Sequence, residues 1–349
     1  SGSVLLVATA RPEFAELRPG WSSRGGVSQI SLEPLTEGDV DKLLGELLPL
    51  ATSELREKVR VAAEGNPFFA EEIVAHLIDQ AVLVREGERI VEVCGDVSVT
   101  IPDTVRALLA ARVDALHAEE KRTLQDAAVV GRVFWATTLE SIDGDAPNRA
   151  ALHALEDKGL IVARPTSSLP GHGEFAFRHG LTREVAYHSI PKGRRARAHA
   201  AVARWIEEVV GDRRQEYVEL LAYHYESAAR AEDAALAWPT DGTAREEILR
   251  KALAALLDAG RAAKTRFAID QALGFAERAL ALAASDAERL ACLELEAEAA
   301  HAGVRADEAW SCYLQALDIA QRIGDAGAAA RLRANATLLW ARYGGAFGD

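Results

Sequence analysis

A pattern of small residues that recurs along the last third of the chain constrains the fold more than any other feature. Ala272, Ala276 and Ala279 return as Ala309, Tyr313 and Ala316, an offset of 37 residues, and Gly260 returns as Ala297. Residues three or four apart share one face of a helix, so these positions mark helices that meet their neighbours closely at fixed places. Repetition at this period is how paired helices stack into arrays, each pair covering the apolar face that its neighbour leaves open. A third copy starts near Ala326. At about 150 residues per domain, 349 residues allow two or three domains and a sizeable core. Hydrophobic residues make up 49% of the chain and aromatics 6%, so alanine fills most helix contacts.

Upstream, the patterns change several times. Val4-Leu5-Leu6-Val7-Ala8-Thr9 is a continuous apolar run, the mark of a strand buried on both faces. A parallel strand does not stand alone and nothing else in the chain resembles its partners, so the chain is expected to begin inside a domain. Arg11-Pro12-Glu13 ends that run and a Gly/Ser/Pro-rich loop follows. Thr36 to Asp39 reads as a helix cap, with Val40, Leu43, Leu44, Leu47 and Leu48 at helical spacing behind it. A second helix carries Leu55 and Val59 and breaks at Gly65-Asn66-Pro67, where a third begins; residues 82–101 suggest a small hairpin. From Pro102 come three helices, the third over 149–158 with Gly159 as its cap, then strands at Leu160–Ala163 and Glu174–Phe177. Three helices followed by a hairpin is the order of a winged helix-turn-helix. Beyond Leu181 all is helical, with a break at Trp238 to Gly242.

The formal net charge of −13 argues against a nucleic-acid binder, which needs concentrated Lys and Arg. Cys94, Cys292 and Cys312 lie far apart, without metal-ligand spacing, and their sparse, odd count fits a reducing cytoplasm. No apolar stretch of membrane-spanning length and no charged-then-apolar leader is present, so neither secretion nor membrane insertion is expected. There is no G-x-x-x-x-G-K-[ST] phosphate loop, no zinc HExxH pair and no GxSxG elbow. No residue is assigned a catalytic or metal-ligating role.

Three segments fall into one known order. Val4 to Glu13 resembles the strand and sensor arginine of STAND ATPases, the AAA-related signalling NTPases. Gly65-Asn66-Pro67-Phe68-Phe69-Ala70-Glu71-Glu72 resembles their lid motif, and Phe177 to Tyr187 (FRHGLTREVAY) resembles the segment that carries their sensing histidine. The resemblance covers essentially the whole chain and is closest to bacterial multidomain forms attached to nucleotide cyclase, kinase or LuxR-type outputs. It implies a mainly α chain: the end of an α/β nucleotide-binding core (1–30), a helical lid (31–101), a winged helix (102–180), connecting helices (181–244) and a TPR-like α-solenoid (245–349). It implies further that the intact parent, with an upstream nucleotide-binding core, binds ATP or ADP with Mg²⁺, while this chain alone binds no cofactor and is not an ATPase. A protein partner is expected on the TPR surface, in the cytoplasm.

Each site residue carries a plain reading beside the implied one. Arg11 follows the strand, where a guanidinium can hold a γ-phosphate bidentately; the plain reading is a solvated loop arginine. Pro67 is implied to face the adenine, and starts a helix in either case. His179 is implied to touch the β-phosphate of ADP and lock a resting state; a lone histidine is otherwise a structural residue. Many relatives have Asp after this histidine, whereas Gly180 here removes a carboxylate that would cap the next helix. The third helix of the winged-helix segment offers only Arg149 and Lys158 as cations, beside Glu156 and Asp157, against DNA reading. The basic run Lys192, Arg194, Arg195, Arg197 reads as a solvated helix face or as internal salt-bridge partners. Two other classes remain open, a stand-alone TPR scaffold and a winged-helix DNA-binding regulator.

Overall fold

A computed structural model describes residues 4–10, 14, 27–86, 89–92, 101–102, 104–143 and 149–343. The fold is mainly α, with sixteen α-helices among the described residues, and it forms two compact units, Ser1–Leu108 and Leu109–Asp349.

The first unit is built on α1 (Glu37–Leu47), α2 (Ser53–Ala63) and α3 (Pro67–Asp79), followed by the antiparallel pair β1 (Leu83–Glu86) and β2 (Arg89–Glu92). Thr36 caps α1 as its sequence suggests, its hydroxyl accepting from the Asp39 N–H at 3.3 Å. Leu44, Leu48, Val59, Ile73 and Leu77 form one core, closed by Leu83 and Leu108. The Arg56 guanidinium donates to the Leu48 and Pro49 carbonyls and so satisfies the end of α1. The expected strand at Val4–Thr9 is a correction: residues 4–10 have no regular structure, and Val4 to Val7 are 80–92% exposed. A parallel strand exists only when a neighbouring strand pairs with it, and no described residue supplies that neighbour. The β-branched positions Val93, Val97 and Val99 of the expected hairpin, with Cys94, lie outside the described residues.

The second unit starts within α4 (Val105–Asp114) and continues with α5 (Ala118–Val130), β3 (Val133–Trp135), α6 (Ala136–Asp143), α7 (Arg149–Asp157), β4 (Ile161–Ala163) and β5 (Glu174–Phe177). β5 lies between β3 and β4, antiparallel to both. β3 and α6 are absent from the expected three helices and hairpin, because a three-residue strand carries too little alternation to read. Phe134 holds this sheet by packing at 5.7 Å from Phe175 and 5.8 Å from Phe177. Gly159 ends α7 with φ +70°, the left-handed conformation expected of that cap.

Next come α8 (Gly180–His188), α9 (Lys192–Val210), a short 3₁₀ turn (Gly211–Glu216), α10 (Val218–Ala229) and α11 (Ala231–Ala237). Helices α12 (Gly242–Thr265), α13 (Ile269–Leu282), α14 (Asp286–Ala302), α15 (Ala306–Arg322) and α16 (Ala326–Tyr343) then pack each on the next, with α12 also reaching α14. The repeating small residues are all buried, and the turns repeat as well. Phe267 and Val304, 37 residues apart, both take left-handed backbone (φ 59° and 60°) and are followed by the same bonds, Ala268 N to Ala263 O and Arg305 N to Ala300 O, each 2.9 Å. Ion pairs join the helices as well, Arg322–Asp286 between the neighbours α15 and α14 and Arg331–Glu294 between α16 and α14, one repeat apart. No helix among the described residues is long and apolar enough to cross a membrane.

One glycine is required by close approach alone. A Cβ on Gly193, at the start of α9, would fall 2.7 Å from the Leu236 carbonyl oxygen, whereas one on Gly45 in α1 would meet nothing within 4 Å. Alanine gains up to about 1 kcal/mol over glycine inside a helix, and overpacking costs about 1–3 kcal/mol. Gly193→Ala is therefore expected to lower the melting temperature by a few degrees and Gly45→Ala to raise it slightly, as read by calorimetry of the two variants.

Candidate functional site

The turn before α3 explains its own sequence. Gly65 has φ +76°, and a Cβ there would lie 2.7 Å from the Leu35 carbonyl oxygen. The Leu35 N–H donates to the Gly65 carbonyl at 2.8 Å, so the chain before α1 is pinned to this turn. Asn66 caps α3, its Oδ1 accepting from Phe69 N at 3.3 Å. Pro67 stands at the first helical position with its ring exposed, where its missing N–H costs nothing. Behind it Phe69, Ala70 and Ile73 are buried, so the exposed ring rests on a rigid helix.

His179 lies in the second unit, at the N-cap position of α8 in extended conformation, half-buried, and its side chain does not cap the helix. The expectation about Gly180 is corrected here. Gly180 is the first helical residue, so an aspartate at that position would act on the helix dipole from inside the first turn and would not be the cap. α8 is held from the side: Arg183 Nε donates to the Ala128 carbonyl near the end of α5 at 2.9 Å. Arg11 lies outside the described residues. Pro67 belongs to the first unit and His179 to the second.

The structure adds a cluster that the sequence did not single out. On α8, α9 and α10, Tyr187 Oη lies 2.8 Å from His199 Nε2, and His199 Nδ1 lies 2.9 Å from His224 Nδ1. Both imidazoles are fully buried. The tautomers follow from the network. Two facing Nδ1 atoms bond only if one carries the proton. With His199 as donor, the Tyr187 hydroxyl donates to its Nε2, and the proton of His224 sits on Nε2. That nitrogen has no partner of hydrogen-bond geometry, but the Val130 carbonyl at the end of α5 acts on the ring and favours a proton there. The reverse assignment would set an imidazole lone pair against that carbonyl.

Burial, followed by the charges of His224, Arg230, Arg183 and Arg195, holds His199 well below the usual histidine range. Burial, followed by Arg183, brings His224 down to about 3. The guanidinium carbons of Arg195 and Arg183 lie 4.9 and 5.5 Å from the centre of the Tyr187 ring. The cluster suits neither a metal nor general acid–base work: no group of three His, Cys, Asp or Glu side chains gathers among the described residues, and the rings do not reach solvent. A sequence signal for it existed. His199 interrupts the buried face of Ala196, Ala200 and Ala203, and His224 that of Leu221 and Ala228.

The basic run is resolved as internal salt-bridge partners. Lys192 pairs with Glu232, Arg194 with Asp126 at 2.6 Å, Arg195 with Asp233 at 3.1 Å, and Arg197 donates to the Ala237 carbonyl. Just past the end of α7, Lys158 Nζ is bound to Glu120 at 2.5 Å.

No family model matches the chain, and no curated protein does. Among solved structures, the chain is similar to a Signal Transduction ATPase with Numerous Domains (STAND) protein with a tetratricopeptide repeat sensor from Pyrococcus horikoshii. The identity is 14% and the TM-score 0.34; the match covers 92% of this chain and about half (53%) of the other. At that score the likeness carries no argument.

Removing the phenol proton tests the assigned network. Tyr187→Phe leaves His199 Nε2 as a buried acceptor without a donor, at a cost of about 1–3 kcal/mol. The urea midpoint of unfolding is expected to fall accordingly at an unchanged m-value.

Proposed function

We propose that this chain is the regulatory and partner-binding portion of a STAND-type ATPase switch, inactive as an ATPase by itself. The observation that carries the reading is the Gly65-Asn66-Pro67 turn. Its backbone admits only glycine beside Leu35, and it sets an exposed proline ring on the first turn of a buried helix. That is the form a nucleotide-sensing lid needs: a rigid, apolar edge for an adenine. Residues 118–177 have the element order helix, strand, helix, helix, strand, strand, which we read as a winged helix turned toward protein. Glu156 of its third helix and Lys158 just past the helix end are engaged within the unit, with the Ala163 N–H and Glu120 respectively, which disfavours DNA. The helical array 242–343 is the proposed seat of a protein partner.

In this reading ATP or ADP with Mg²⁺ binds where a phosphate-binding half joins the lid, and nucleotide and partner bias a two-state hinge. The chain has no phosphate loop, so we expect no ATPase activity from it and nucleotide affinity no tighter than millimolar by calorimetry. Micromolar ADP binding by the chain alone would overturn the proposal.

His179 is proposed to hold the β-phosphate of ADP in the resting state. A hydrogen bond to a charged group contributes about 1.5–3 kcal/mol, or a population shift of about 10- to 100-fold. In the intact ATPase, His179→Ala is expected to speed ADP release about 10-fold, the low end, at an unchanged melting temperature. A lower melting temperature with unchanged release makes His179 a packing residue.

A further inference from the structure

Between α8, α9 and α10 the unit is joined by neutral imidazoles, whereas α5 and α11 are held to α9 by ion pairs. Tyr187 from α8, His199 from α9 and His224 from α10 form one chain of short bonds. The groups facing it come from every neighbouring element. α8 turns Arg183 toward it, α9 Arg195, and α10 Tyr223 and, just past its end, Arg230. α5 contributes the Val130 carbonyl, with its Asp126 turned away to Arg194, and the α11 carboxylate Asp233 is taken by Arg195. The guanidiniums of Arg183, Arg195 and Arg230 act on this site, so a proton taken up there adds a fourth positive charge.

We propose that the Tyr187–His199–His224 chain is an acid-sensitive latch whose protonation loosens α9 from α10. The bond between two Nδ1 atoms exists only while one of them is bare. A second proton turns the pair into two donors facing each other at 2.9 Å in a site closed to water. Such a site relaxes by opening.

The sign follows from proton counts. Opened to water, each imidazole titrates near 6.5; closed, both remain neutral until far lower pH. Above about pH 6.5 neither state takes up protons and the latch has its full strength. Below it the open state binds up to two more protons than the closed one, so closure weakens as pH falls. Ordinary carboxylates titrate near 4, so the ion pairs beside the latch outlast it.

Hydrogen exchange of the full chain between about pH 6 and 4.5, corrected for intrinsic exchange rates, tests this. Opening constants for α9 and α10 amides are expected to rise by up to about 100-fold per pH unit, two protons' worth. Those of α14 and α15 should rise far less. His224→Asn keeps an acceptor for His199 but cannot titrate, and should reduce the rise to about 10-fold per unit; His224→Phe serves if the Asn variant does not fold. A wild-type rise of 10-fold or less, a slope shared with α14 and α15, or an undiminished slope in the variant would overturn the proposal.

Discussion

The second unit depends on how closely α9 can be approached. Ala196, Ala200 and Ala203 are buried along it, and Gly193 lets the Leu236 carbonyl come within a distance that any side chain would block. Contacts this close leave no room for long side chains between helices, so the long ones are pushed to the margins, where they form ion pairs. Their worth differs. Lys192–Glu232 is 51% and 78% exposed, and such pairs contribute about 0–1 kcal/mol. Arg195–Asp233 is 13% and 7% exposed, and removing one partner of a pair that buried costs about 3–5 kcal/mol. The run of cations on α9 therefore holds α5 and α11 against it.

How much of this could be read beforehand varies with the range of the interactions. The caps and breaks at Thr36, Gly65-Asn66-Pro67 and Gly159 were legible because a cap is settled within a few residues. The repeat Ala272/Ala309 was legible because stacking imposes the same small residue twice. The expected strand at Val4–Thr9 failed because a strand is a property of its neighbours, and composition alone cannot supply them. β3 was missed for the opposite reason: three residues, Val133 to Trp135, become a strand only because β5 lies beside them.

The candidate site divides along the same line. Pro67 and His179 stand at helix starts, positions the sequence marks, while Tyr187, His199 and His224 come from three helices and converge only in the fold. Each histidine was visible as a polar break in an apolar face. What could not be seen was that the two breaks face each other, since that depends on the rotation of α9 against α10.

Histidine suits that position better than the alternatives the chain uses nearby. A carboxylate there would be attracted by Arg183, Arg195 and Arg230, but would bury a charge and draw the guanidiniums inward from Ala128 and Asp233. A lysine would add to three cations. Apolar residues would pack as well but would leave the rotation of α9 against α10 unspecified, as apolar contacts have no direction. A neutral imidazole supplies direction without charge: two hydrogen bonds in series, Tyr187 donating to His199 and His199 to His224, fit a single rotation of the helices. The cost is that this neutrality holds only above the range in which histidine in water takes a proton. The device that sets the register of α8, α9 and α10 is thus also the one most exposed to acid.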